Sequence, residues 1–295
     1  MTGAIITNGY FENGAIVHQR ETLKNELLKL GAETDIIKHN EIDMGIKNGE
    51  VYAAVKPYDF IVYLDKDVNI ASMLEKRGYF LVNRSESIAI CDDKMKTYIA
   101  LSGNGIPMPE TYSAPIMYYD AVDVGFCKKI VSKLSFPIIV KEAYGSMGRG
   151  VHKADNLEEL IALHGRFKLM PHLYQEMIGK GGKDVRVIVI GGKAVASMER
   201  KNESDFRSNI ENGGKGFTHA LTENEKKLAE NAASVLKLEY AGVDIISDGK
   251  KDYICEVNSN AFFKGIMSVT GVNIAEIYAE RIINLSNQLK NVKKG

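Results

Sequence analysis

Short apolar runs alternate along the chain with longer stretches in which apolar residues recur every third or fourth position. Residues 4–9, AIITNG, read as a buried strand ending in a turn, and 18–33, HQRETLKNELLKLGAE, as a helix stopped near Gly31. TDIIKH (34–39) and DFIVYL (59–64) read as further strands. A β, then α, then β order predicts a parallel sheet covered by helices, so residues 1–88 are expected to form a small doubly wound α/β domain. No GxGxxG follows its first strand, which argues against a dinucleotide site there.

The pattern continues with a predicted helix over 87–103, stopped by Gly105 and Pro107, and a buried strand at FPIIVKEA (136–143) that delivers Lys141 near its end. Asp155 and Glu158 have the spacing of a capping box and predict a helix opening there. Residues 89–175 therefore read as a second α/β module. In the last region, 176–295, VRVIVI and KAVASM flank Gly191-Gly192 as a hairpin, and FRSNIENGGKG reads as a glycine-rich loop. Thr222 and Glu225 repeat the capping box, opening a helix with Leu228, Ala232 and Val235 along one side. AGVDIISDGKKDYICEVNSN reads as a second hairpin.

Composition adds exclusions. With 38 Lys plus Arg against 38 Asp plus Glu, spread along 295 residues, no nucleic-acid footprint or membrane-surface patch is expected. The start, MTGAIITNGY, has neither a basic segment nor a long apolar run, so a cytoplasmic location is the default expectation. Cys91, Cys127 and Cys255 include no CxxC pair and are expected to be reduced thiols in or near the core. No two histidines have the HExxH spacing, and each is expected to be an ordinary surface or core residue.

The chemistry-bearing stretch is KEAYGSMGRGV (141–151), in which Lys141 precedes Gly145, Gly148 and Gly150. In a P-loop the lysine follows the glycines and is itself followed by Ser or Thr, so any nucleotide held here is held in another architecture. On the last hairpin, Glu256 and Asn258 are two apart and share a strand face. A two-residue turn at Asp248 and Gly249 would pair Asp244 with Tyr253, whereas a longer loop centred on Lys250 would pair Asp244 with Glu256 and Gly242 with Asn258. In the second register two carboxylates oppose each other and need a positive partner. That partner is either a hard cation such as Mg²⁺ or a lysine or arginine.

Taken in order, KEAYGSMGRGV, QEMI, KDVRVIVIGGKAVASMER, DFRSNIENGGKG, AGVDII and ICEVNSN resemble the ATP-grasp carboxylate-amine ligases, most of all the RimK-like alpha-L-glutamate ligases, from about Ile90 to Ile283. The resemblance implies an ATP-grasp fold in which two α+β subdomains enclose the nucleotide and the glycine loop closes over its phosphates as a lid. It also explains the order of the opening motif, because the lysine's strand forms the pocket wall. Carried over to this chain, Lys94 and Lys141 are implied to face the phosphates, with Gly145, Ser146, Gly148 and Gly150 in the lid. Glu176 and Ile178 are implied to read adenine through the main chain, and Asp184 the ribose. Arg200, Arg207 and Asn209 are implied to face the γ-phosphate and the activated carboxylate, and Asp244, Glu256 and Asn258 to hold magnesium.

The implied reaction is attack of a substrate carboxylate on Mg-ATP to give an acyl phosphate, which an amine then converts to an amide, with an amino acid such as glutamate as one substrate. ATP with Mg²⁺, one ion or two and Mn²⁺ as a substitute, and a homo-oligomeric state come with the resemblance. The alternatives are a nucleotide-binding regulatory protein without turnover and a phosphotransferase acting on a hydroxyl. Family members commonly follow EVN with a small residue and then Pro-Gly, whereas this chain has EVNSNAFFKGI. Phe262 and Phe263 therefore either reshape the acceptor pocket or pack into the core.

Overall fold

The computed structural model describes residues 1–292. The first region comprises β1 (Thr2–Thr7), α1 (Gly14–Lys29), β2 (Glu33–Lys38), a hairpin of β3 (Met44–Lys47) and β4 (Glu50–Ala53), β5 (Phe60–Leu64), α2 (Val68–Lys76) and β6 (Leu81–Val82). Its parallel sheet has the order β2-β1-β5-β6. Side chains alternate across it, so Ala4 and Ile6 pack with α2 through Ala71 and Leu74, while Ile5 and Val62 pack with Leu23 and Leu27 of α1. Helix α1 starts at Gly14, earlier than its apolar spacing predicts, because the Asn13 side chain accepts hydrogen bonds from the amides of Ala15 (3.0 Å) and Ile16 (2.9 Å).

The central region comprises α3 (Ser85–Asp92), α4 (Lys94–Leu101), β7 (Thr111–Ser113), α5 (Val124–Val131), β8 (Ile138–Glu142), β9 (Val151–Ala154), α6 (Leu157–Phe167) and β10 (His172–Glu176). Its sheet is antiparallel, in the order β7-β10-β8-β9. The single helix predicted over 87–103 is two helices. Asp93 takes an extended conformation between them and caps the second by accepting from the amides of Met95 (2.9 Å) and Lys96 (3.1 Å). The cap of α6 is Asn156 rather than Asp155: its side chain accepts from Glu159 N at 3.0 Å, and Glu159 reaches back to Asp155 N.

The last region comprises β11 (Lys183–Ile190), β12 (Lys193–Lys201), a 3-10 turn at Ile210–Asn212, β13 (Lys215–Thr218), α7 (Glu223–Val235), β14 (Tyr240–Ser247), β15 (Asp252–Asn258), α8 (Phe263–Thr270) and α9 (Ile274–Val292). The strands form an antiparallel sheet in the order β13-β12-β11-β14-β15, and the Thr222–Glu225 capping box opens α7 as its spacing predicts. One sheet face, Val185, Val187 and Val189 with Ala241 and Val243, is covered by Leu228, Ala229 and Ala232 of α7. The other face is divided along its length. Ile188, Ile190 and Met198 join a core shared with α8, α9 and the first sheet, whereas Asp184, Arg186, Arg200 and Asp244 occupy its polar end. That division places charged groups where the two later sheets face each other.

The cysteines are free, and among the described residues no helix is long and apolar enough to cross a membrane.

Candidate active site

The register of the last hairpin places its carboxylates. Asp244 pairs with Glu256 and Gly242 with Asn258, and further along the hairpin Ile246 pairs with Tyr253 and Ser247 with Asp252. A β-bulge between those segments, with Cys255 as its extra residue, combines the paired carboxylates with a loop shorter than the one centred on Lys250 would be. The opposed carboxylates are compensated chiefly by arginines. Arg186, directly across β11 from Asp244, binds it through both Nε and Nη2, and Arg200 Nη2 lies 2.9 Å from Asp244 Oδ2. Burial opposes the charge on Asp244, but the two guanidiniums outweigh it and hold the carboxyl below its ordinary range.

Arg200 also spans Asp184, donating to both of its oxygens at 2.7 and 2.6 Å, and Ser208 Oγ donates to the same carboxylate at 2.5 Å. Burial pushes the Asp184 carboxyl up, against the pull of Arg200. Arg186 had no place among the sequence-based candidates. In KDVRVIVI it is simply the polar residue of an alternating strand, and only the sheet order puts it opposite Asp244.

A pocket lies between the central sheet and this polar end. Every candidate residue named from the sequence lines it except Asn258, which lines a second, adjoining cleft. Lys141, on β8, is 6% exposed, and its Nζ has a weak partner in Cys255 Sγ at 3.7 Å. Burial works against its ammonium, but the surrounding Cys255, Tyr98 and Glu256 side chains raise its pKa overall, so it is charged at neutral pH. Lys94, the first residue of α4, has its Nζ 3.1 Å from the Gly145 carbonyl and 3.6 Å from Glu256 Oε1.

The glycine loop between β8 and β9 closes this pocket. Gly145 (φ 128°) and Gly148 (φ 71°) take the left-handed backbone that glycine tolerates best, and a Cβ at Gly148 would stand 2.7 Å from Asn209 Oδ1. The loop is tied across the pocket by Arg207 Nη1 to Gly148 O (2.9 Å) and Asn212 Nδ2 to Met147 O (3.1 Å), while Asp205 neutralises Arg207. Glu176 ends β10, where its Oε1 accepts from Glu110 N at 2.8 Å, and Ile178 lies just beyond the strand.

Among the described residues, no three His, Cys, Asp or Glu side chains form a metal cluster. The donors of the right chemistry for a magnesium ion are the Glu256 carboxylate, whose ionic neighbour is Lys94 at 3.6 Å, and the Asn258 amide oxygen, since magnesium takes oxygen ligands. Asp244 would join them only by giving up a guanidinium. The aromatic pair after the EVN motif divides between the two roles anticipated for it. Phe263 is fully buried against Tyr240 and Tyr278, whereas Phe262 lines the second cleft.

Comparison with known proteins places this geometry. Residues 91–282 match the RimK-like ATP-grasp domain. The chain is 34% identical over 230 residues to beta-citrylglutamate synthase B of Danio rerio, covering 76% of this chain and 55% of that protein. It is 35% identical over 218 residues to a probable alpha-L-glutamate ligase of Psychromonas ingrahamii, covering 72% and 69%. It thus spans little more than half the length of the synthase. D-alanine–D-alanine ligase of Bacillus anthracis, solved with ATP, superposes with a TM-score of 0.75 at 20% identity over 100% of both chains, a likeness of fold. With the family model covering most of the chain and the same charged groups gathered around one pocket, the chain belongs to the RimK-like ATP-grasp family.

Proposed function

We propose that the protein is an ATP-dependent ligase that activates a carboxylate as an acyl phosphate and joins it to an amine, with an amino acid such as glutamate as one substrate. The observation that carries this reading is Lys141, a buried ammonium on the pocket wall with a single weak partner, facing a loop of left-handed glycines. A buried ammonium whose one hydrogen-bond partner is a thiol has donors left to offer, and a phosphate group is the ligand that would satisfy them. Names of relatives, among them an alpha-L-glutamate ligase, support the choice of amino acid.

In this reading Lys94 and Lys141 hold the phosphates, and Gly145 and Gly148 let backbone amides approach them. Arg186, Arg200 and Arg207 neutralise charge where phosphoryl transfer occurs, and the docked loop shields the acyl phosphate from water. Glu256 and Asn258 would hold Mg²⁺, or Mn²⁺ in its place, and the ion would supply charge neutralisation between the phosphates. Main-chain groups at Glu176 and Ile178 take adenine, and the Asp184 edge of the pocket takes the ribose. The reading extends to a cytoplasmic homo-oligomer and to a division of the chain at 88/89 and 175/176, supported by the family and the sequence pattern.

The test is ADP release with Mg-ATP against paired carboxylates and amino acids, followed by mass spectrometry of the product. Release tied to one amino acid, with an amide product, supports ligation; a stable phosphoester or no release in any pairing overturns it. Glu256→Ala should fold normally and lose turnover, and normal turnover in that variant would remove Glu256 from the metal site.

A further inference from the structure

The second cleft runs between the first region and the last sheet and adjoins the nucleotide pocket. Its lining includes the carboxylates of Asp65 and Glu256 and no others. Glu256 belongs to the nucleotide end, beside Lys94. Asp65 stands on the opposite wall, immediately after β5.

Three observations set Asp65 apart. It sits at the carboxyl ends of β1 and β5, which are neighbours in a sheet where β2 lies on one side of β1 and β5 on the other. Such a switch point is where open parallel sheets bind ligands. Its carboxylate is held in place, accepting from Lys66 N (2.7 Å) and Asn8 Nδ2 (3.0 Å) with His39 Nε2 3.0 Å away, and its side chain is 12% exposed. The neighbouring lysine does not cancel it, because Lys66 Nζ pairs with Asp92 Oδ1 at 3.1 Å.

We propose that Asp65 is the seat of the substrate's ammonium group, so that a free amino acid enters the cleft with its –NH₃⁺ on this carboxylate. The proposal deepens the ligase reading and rests on it. A preset, partly desolvated anion facing a cleft recognises a cation at little cost in ordering, which is what an amine substrate presents before reaction.

The test is calorimetric titration of the full chain, in Mg-ADP, with free L-amino acids, L-glutamate first, each against the 2-hydroxy acid of the same carbon skeleton. Wild type should bind one amino acid at least tenfold more tightly than its hydroxy analogue. Asp65→Asn should abolish that preference while Mg-ADP affinity stays within twofold. Equal binding of amine and hydroxyl compounds by wild type, no binding of any amino acid, or a preference retained in Asp65→Asn overturns the proposal. Equal binding by wild type overturns the proposal even if the variant fails to fold. An intact preference with no ADP release in any pairing would instead sink the ligase reading and leave the ammonium seat standing.

Discussion

Arg186 stands directly across from Asp244 on adjacent antiparallel strands and closes a two-pronged ion pair on it. Arg200 approaches the same carboxylate while gripping Asp184, so the acids and guanidiniums form one continuous buried network. Removing one charge strands the others. Asp244→Asn should therefore cost about 3 kcal/mol in denaturant unfolding, the usual penalty for breaking a buried pair. A loss below about 1 kcal/mol, the range of exposed pairs, would mean that the network is solvated.

Lys141 matters to stability as well as to binding. Its surroundings favour the buried ammonium over its neutral form, so Lys141→Met should lower the thermal midpoint. Mg-ATP affinity should fall by about tenfold or more, as loss of a charge-assisted contact implies. Undiminished affinity, measured by calorimetry, would show that phosphate lies elsewhere.

The adjacent phenylalanines should separate in a substitution experiment. Phe263→Ala empties a fully buried site and should cost about 3–5 kcal/mol. Phe262→Ala should cost far less and act on KM for the amine substrate, because its ring lines the cleft. A KM effect from Phe263 alone, at undiminished stability, would reverse the assignment.

A pH dependence follows from the central region. His164 Nδ1 and His172 Nε2 lie 2.6 and 2.8 Å from the Tyr174 hydroxyl, and burial lowers both imidazoles from their ordinary 6.5. The unfolded chain then takes up protons more readily than the folded one. Their contribution to stability is complete above about pH 6.5 and is lost as pH falls through the lower folded values. The thermal midpoint should drop between pH 7 and 5.5, less steeply in His164→Gln. Equal slopes would locate the acid sensitivity in other groups.

How far the sequence reached can be judged from particular residues. Local signals performed well: Thr222 and Glu225 cap α7, and Gly191-Gly192 turns β11 into β12. The Asn48-Gly49 dipeptide, with both residues at positive φ between β3 and β4, is an equally local hairpin signal. At Asp93 a capping side chain won over continuous apolar spacing and split a helix. The sequence of the last hairpin allows two registers, and the Cys255 bulge that gives the Asp244–Glu256 pairing carries no local signal of its own. Arg186 and Asp65 were out of reach for a similar reason. Each is an ordinary charged residue in its own segment, and strand order alone determines what it meets.

The placement of α9 bears on how the protein is made. Residues 274–292 supply Tyr278, Ala279 and Ile282 to the core that also holds Ile5, Leu23 and Leu27, near the other end of the chain. Translation therefore delivers the first sheet long before the helix that completes its cover. Until α9 has been made, an apolar face of the first sheet lacks its partner, so that sheet completes its core only after the later sheets have been synthesised.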